Sequence, residues 1–226
     1  MNFGEIYDAV VFNIWGGAVP PTDAVARLQG SEGIIANMHR DIQIDYNYWF
    51  MESWTIVESI AGTQGYAMPD NFKELVNAMW QVIDSIATDP YFTEPLKVWS
   101  TKEAHVLGWV NNNQRVEYPT HFEIKDGISL ILYPIPEETD RELNVIYTRF
   151  LDRPTTVDFS TDTDILTQRG AEAIIALATA KMFRILQEMN MSQVYDGEAR
   201  RYIELLKRED FNRRQSLLLS VNYSGC

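Results

Sequence analysis

A chain of 226 residues with 46% hydrophobic and 23% charged side chains can bury a core for one or two domains, which excludes disorder throughout. The formal net charge of −13 argues against tight binding to a DNA backbone. No apolar run reaches the roughly 18 residues that would signal a membrane-spanning helix. The opening MNFGEIYDAVVFNIWGG places Glu5 and Asp8 where a secretory signal carries basic residues, so it reads as mature protein. Cys226 is the only cysteine, which excludes an internal disulfide and a cysteine-based metal site.

Charge is unevenly spread. Residues 1–150 carry 9 basic and 21 acidic side chains, whereas residues 151–226 carry 10 and 11. From Arg200 onward the sign reverses: Arg200, Arg201, Lys207, Arg208, Arg213 and Arg214 face only Glu204, Glu209 and Asp210. Such a run is either a solvated helical face or a docking surface for an acidic partner.

In chain order, residues 3–15 are predicted helical, closed by Gly16-Gly17. Thr22 or Asp23 can cap a helix over 22–46, which Gly30 and Gly33 weaken or break. At residue 54 the period becomes that of a strand, with Trp54, Ile56, Glu58 and Ile60 on one face. Gly62 to Gly65 make a turn, and 66–68 return as a short strand stopped by Pro69. Residues 73–86 fit helix or strand, and 102–113 predict a short helix. Residues 121–124 form a strand, Asp126-Gly127 signals a hairpin, and the strand after it ends at Pro134 and Pro136. A polar turn over 137–140 leads to a strand over 143–150. These strands predict one sheet of four or five antiparallel strands. Thr163 or Asp164 then caps a helix with Leu166, Gly170, Ile174, Leu177, Lys181, Ile185 and Met189 along one side. A second helix covers 193–216, and the leucine-rich SLLLSVNYSGC follows. The aromatic cluster YNYWFMESW, 46–54, suits both core and interface.

The fold class expected is α+β: a helical bundle (1–50 and 151–226) with an inserted antiparallel β-sheet module (51–150).

The chemistry-bearing residues assemble into nothing recognisable. His39, His105 and His121 are far apart and match no metal-ligand spacing. No nucleophile elbow, phosphate loop or dinucleotide fingerprint is present. Asp158, Asp162 and Asp164 alternate, but lack the glycine and closing glutamate of a calcium loop, and read as a helix-capping segment. Glu137-Glu138 sits on a turn where desolvation is small. No catalytic, cofactor-binding or metal residue is assigned, no cofactor is expected, and the chain reads as a non-enzyme.

Three stretches resemble the head-to-tail adaptor (connector or head-completion) proteins of tailed bacteriophages: SIAGTQGYAMPDNFKEL, THFEIKDGISLILYPIPEETDRELNVIYTRF and DTDILTQRGAEAIIALATAKMFRIL. The resemblance is taken to cover about residues 54–216. The resemblance implies a virion protein assembled in the bacterial cytoplasm. It implies a homo-oligomeric ring, commonly a dodecamer, bound beneath the portal ring and to tail or neck proteins, with DNA passing through. On that reading Arg200, Arg201, Lys207, Arg208, Arg213, Arg214, Leu217, Leu218 and Leu219 are candidate portal contacts. Another neck or tail-tube protein, a small enzyme with an unrecognised site and a monomeric binding module are the alternatives.

Overall fold

The computed structural model describes residues 1–83, 91–98, 119–154 and 159–223. The helix expected over 102–113, together with His105, Asp158 and Cys226, lies outside the described residues. The fold is α+β, and the chain divides into two compact units, Met1–Phe50 with Leu151–Cys226, and Met51–Phe150.

The first unit is helical. Helix α1 spans Phe3–Trp15 and starts in a reciprocal cap: Asn2 accepts the Glu5 N–H at 2.8 Å, and Glu5 accepts the Asn2 N–H at 3.0 Å. Phe3, Ile6 and Val10 form its buried stripe. The helix expected over 22–46 is two helices, α2 (Thr22–Leu28) and α3 (Ile34–Asp45). The break sits where a side chain cannot fit: a Cβ on Gly33 would lie 2.3 Å from the carbonyl oxygen of Gln29. Nor do Thr22 or Asp23 cap α2. Pro21 holds that position, and no side-chain cap bond forms.

Helix α4 (Ile165–Arg169) is capped by Asp164, whose side chain accepts the Thr167 N–H. At Gly170 the chain starts again as α5 (Ala171–Ile185), so one continuous helix is not formed. The predicted stripe is also out of phase beyond Ile174. Lys181 and Ile185 are exposed, and the buried positions are Ile174, Ile175, Ala178, Met182 and Phe183 among others. The reason is enclosure: α5 packs against α1, α3 and the last helix, α6 (Met189–Tyr223), so more than one face is covered. Helix α6 outruns its predicted span at both ends.

The second unit is β-structure: β1 (Glu52–Glu58), β2 (Gly65–Ala67), β3 (Phe72–Ile83), β4 (Tyr91–Pro95), β5 (Lys97–Val98), β6 (His121–Lys125), β7 (Ser129–Tyr133) and β8 (Glu142–Arg149). The ambiguous stretch from 73 is therefore strand as far as Ile83. The expected single sheet is two four-stranded sheets among the described residues, ordered β1-β8-β3-β4 and β2-β7-β6-β5. The second is mixed, because β5 runs parallel to β6. Two turns divide the strands. The 62–65 turn sends β2 to β7 rather than back along β1, and the Pro134–Pro136 stretch, unsuited to a ladder, sends β8 to β1 and β3. The hairpin at Asp126-Gly127 forms as predicted, with both residues at positive φ, 54° and 72°. Ala78, Trp80, Leu143, Val145 and Tyr147 of one sheet meet Tyr66, Phe122, Leu130 and Leu132 of the other in a shared core.

Candidate functional site

The face that α6 buries follows from its sequence. Ser192, Ala199, Leu206 and Asp210 recur at helical spacing, and all four are buried. This leaves Val194, Arg201, Leu205 and Arg208 on the opposite side, all exposed.

Asp210 is the surprise of the inward stripe: a carboxylate only 2% exposed. It accepts the Tyr46 hydroxyl at 2.9 Å, the Trp49 backbone N–H at 2.6 Å and the Arg214 Nε–H at 2.9 Å. A buried charge is tolerable only when satisfied in this way. Arg214 also donates to the Asn47 carbonyl at 2.8 Å. The Arg213 guanidinium lies 3.6 Å from the centre of the Trp49 ring and that of Arg169 at 5.9 Å, while Arg169 pairs with Glu209. Lys207 sits 5.7 Å from the Tyr46 ring centre and 3.5 Å from Glu204. Burial, and then the bond to Asp210, push the Tyr46 phenol above its ordinary range.

The candidate portal contacts thus divide. Lys207, Arg213 and Arg214 hold α6 against residues 46–49. Arg200, Arg201 and Arg208 are exposed, as is Arg213, but no aromatic contact like that of Arg213 with Trp49 is seen for them among the described residues. Leu217, Leu218 and Leu219 lie on the α6 backbone. Sequence reading missed Asp210, Tyr46 and Trp49 as one cluster; the Asp210–Arg214 spacing of i,i+4 was its only local signal. The aromatic cluster itself divides, with Tyr48 and Phe50 buried and Trp54 exposed.

A second polar cluster surrounds His39, which is fully buried. Its Nε2 lies 2.7 Å from an Asp164 carboxylate oxygen and its Nδ1 3.1 Å from Gln43 Nε2. Gln43 in turn accepts the Leu151 N–H at 2.7 Å. Burial pushes the Asp164 carboxyl up, but His39 and the N–H groups of Thr167 and Leu166 outweigh it and leave the pKa below its ordinary value. The cluster joins α3 to the start of α4. Both partners of His39 are internal, and the acidic loop serves as a helix cap. The Phe3 N–H also donates to the Asp162 carbonyl, at 3.1 Å. His121, at the start of β6, has its Nδ1 2.9 Å from the Thr120 hydroxyl oxygen.

Among the described residues no three His, Cys, Asp or Glu side chains gather as metal ligands, and no helix is long and apolar enough to cross a membrane. Helix α6 is held along one side by the Asp210 cluster, and Arg200, Arg201 and Arg208 are exposed away from it. The chain belongs to the SU10 adaptor protein family, whose model matches residues 1–220. The match agrees with the resemblance to phage head-to-tail adaptors, and it makes the chain a structural adaptor and a virion component. No curated protein matches the chain.

Proposed function

We propose that this chain is a head-to-tail adaptor: identical copies form a ring beneath the portal, join the DNA-filled capsid to the tail, and line the channel through which DNA leaves. The observation that carries this reading is family membership across residues 1–220. The helical unit, 1–50 with 151–226, is then the ring-forming core, and the β unit, 51–150, faces tail or neck components or neighbouring subunits. Exposed Arg200, Arg201 and Arg208 are the portal contacts that the geometry favours, with Leu217, Leu218 and Leu219 further along the same helix. Lys207, Arg213 and Arg214 act indirectly, by fixing the angle of α6.

A ring needs two different patches on each subunit, because its contacts are head-to-tail. Twelve copies would carry a charge on the order of −150. Interface burial and screening must offset that repulsion, while acids facing the channel would keep DNA sliding rather than adhering. Assembly takes place in the bacterial cytoplasm.

Electron microscopy of the protein mixed with the portal ring of its own genome tests the proposal. The expected result is a collar of density on the portal, lost or weakened by the triple substitution R200E/R201E/R208E. A protein that stays off the portal at every concentration overturns it.

A further inference from the structure

Strand β1, ESWTIVE, shows strict alternation of exposure. Glu52, Trp54, Ile56 and Glu58 are exposed, while Ser53, Thr55 and Val57 are half-buried. Trp54 is 68% exposed and Ile56 43%. Trp54 lies beside Ile146 in the ladder and Ile56 beside Asn144, which neighbours Met79 in turn. A large aromatic and an isoleucine therefore share an open face, bracketed by a carboxylate at each end. β1 is also the border of its sheet: among the described residues it pairs only with β8. Border strands present backbone donors and acceptors that invite an added strand.

The bracketing acids decide what can be added. If β1 of a second copy aligned antiparallel about Thr55, Glu52 would lie opposite Glu58 at both ends. A parallel in-register pairing would set Glu52 against Glu52 and Glu58 against Glu58. Like charges directly opposite one another destabilise a ladder. In these two registers self-pairing would add facing carboxylates to the Glu58–Glu142 pair that β1 and β8 already hold, whereas a strand with basic ends meets opposite charge at the same two places.

We propose that the outer edge of β1 is a strand-addition site for an extended segment of a different protein, with two apolar side chains one residue apart and a lysine or arginine at each end. Backbone bonds to the β1 edge supply the ladder, Trp54 and Ile56 cover the apolar pair, and Glu52 and Glu58 set register and disfavour an in-register second copy. This goes beyond the adaptor reading and does not depend on it.

The test uses the full-length protein and two blocked seven-residue peptides. Both have valine at the third and fifth positions and threonine elsewhere; one has lysine at its ends, the other glutamate. Binding is read as hydrogen-exchange protection of amides 52–58. The lysine peptide is expected to protect that stretch, with the glutamate peptide about tenfold weaker or more, from two cross-strand charge pairs reversed together. The variant E52K/E58K should exchange the two preferences, and Trp54→Thr, which keeps strand propensity, should weaken the lysine peptide. Should Trp54→Thr fail to fold, the charge exchange, made at exposed positions, carries the test. Equal binding of both peptides, no protection by either, or preferences unmoved in E52K/E58K would overturn the proposal. The portal experiment tests α6 and this one tests β1, so each can fail alone.

Discussion

Helices α5 and α6 are neighbours in sequence and packed together, yet they are built on opposite plans. Helix α5 is alanine-rich and buried on most of its surface; its small side chains let α1, α3 and α6 come close. Among its described side chains, helix α6 buries one stripe and leaves the remaining circumference to charge and scattered apolar groups. In α5 residue volume is the constraint, so nearly any enlargement or deletion is felt. In α6 the constraint is concentrated at a few places, Asp210 above all. The difference separates what the fold requires from what a partner can read.

Substitutions can break or sharpen that contrast. The largest loss is expected in α5: Ile174→Ala should cost about 3 kcal/mol, as for other buried large-to-small changes, measured by denaturant unfolding of the isolated protein. Next comes the single critical point of α6. Asp210→Asn keeps the shape but removes the charge that holds Arg214, and should cost about 2 kcal/mol, discounted because Arg214 is partly exposed. If Asp210→Asn were silent, the Asp210–Arg214 pair would not be what holds α6 in place. A smaller effect is pH-dependent. Since the folded Asp164 carboxyl titrates below its ordinary value of 3.8, its contribution is present above that value and lost as pH falls through the lower, folded one. Thermal melting in acid should show this loss, and Asp164→Asn should flatten it. Smallest for stability are Arg200→Glu, Arg201→Glu and Arg208→Glu, expected within about 0.5 kcal/mol each. A loss of portal binding without a loss of melting temperature would place their role in the interface.

Local chemistry explains which parts were readable in advance. Helix α1, the Asp126-Gly127 hairpin and the Asp164 cap each depend on residues within a few positions of one another, and each was legible. The division of the strands into two sheets was not, because β8 pairs with β1 and β3 across long stretches of sequence. The same holds for α5: its periodicity was read for one face, whereas three neighbouring helices bury several. Lys207, Arg213 and Arg214 looked like Arg200, Arg201 and Arg208 until Tyr46 and Trp49 were brought to them in space. The alternation of β1 was visible as a strand, but a sheet border is a property of the partners, not of the segment. His39 is similar, since a lone histidine gives no sign of its bond to Asp164.

The helical unit is discontinuous along the chain, and this has a consequence for biosynthesis. Its internal bonds link residues as far apart as Asn47 and Arg214, separated by 167 positions. The β unit, by contrast, is one uninterrupted stretch. On a ribosome, 51–150 emerges and is able to collapse before any of α4, α5 or α6 has emerged. Until they emerge, Ile6, Val10, Leu28, Ile35 and Ile42 await their partners, the interval in which a nascent chain is most exposed to aggregation and to chaperone capture. Closing so long a loop is slow. Because the β unit holds its own two ends, Met51 and Phe150, within one folded body, much of that delay is removed before α6 arrives.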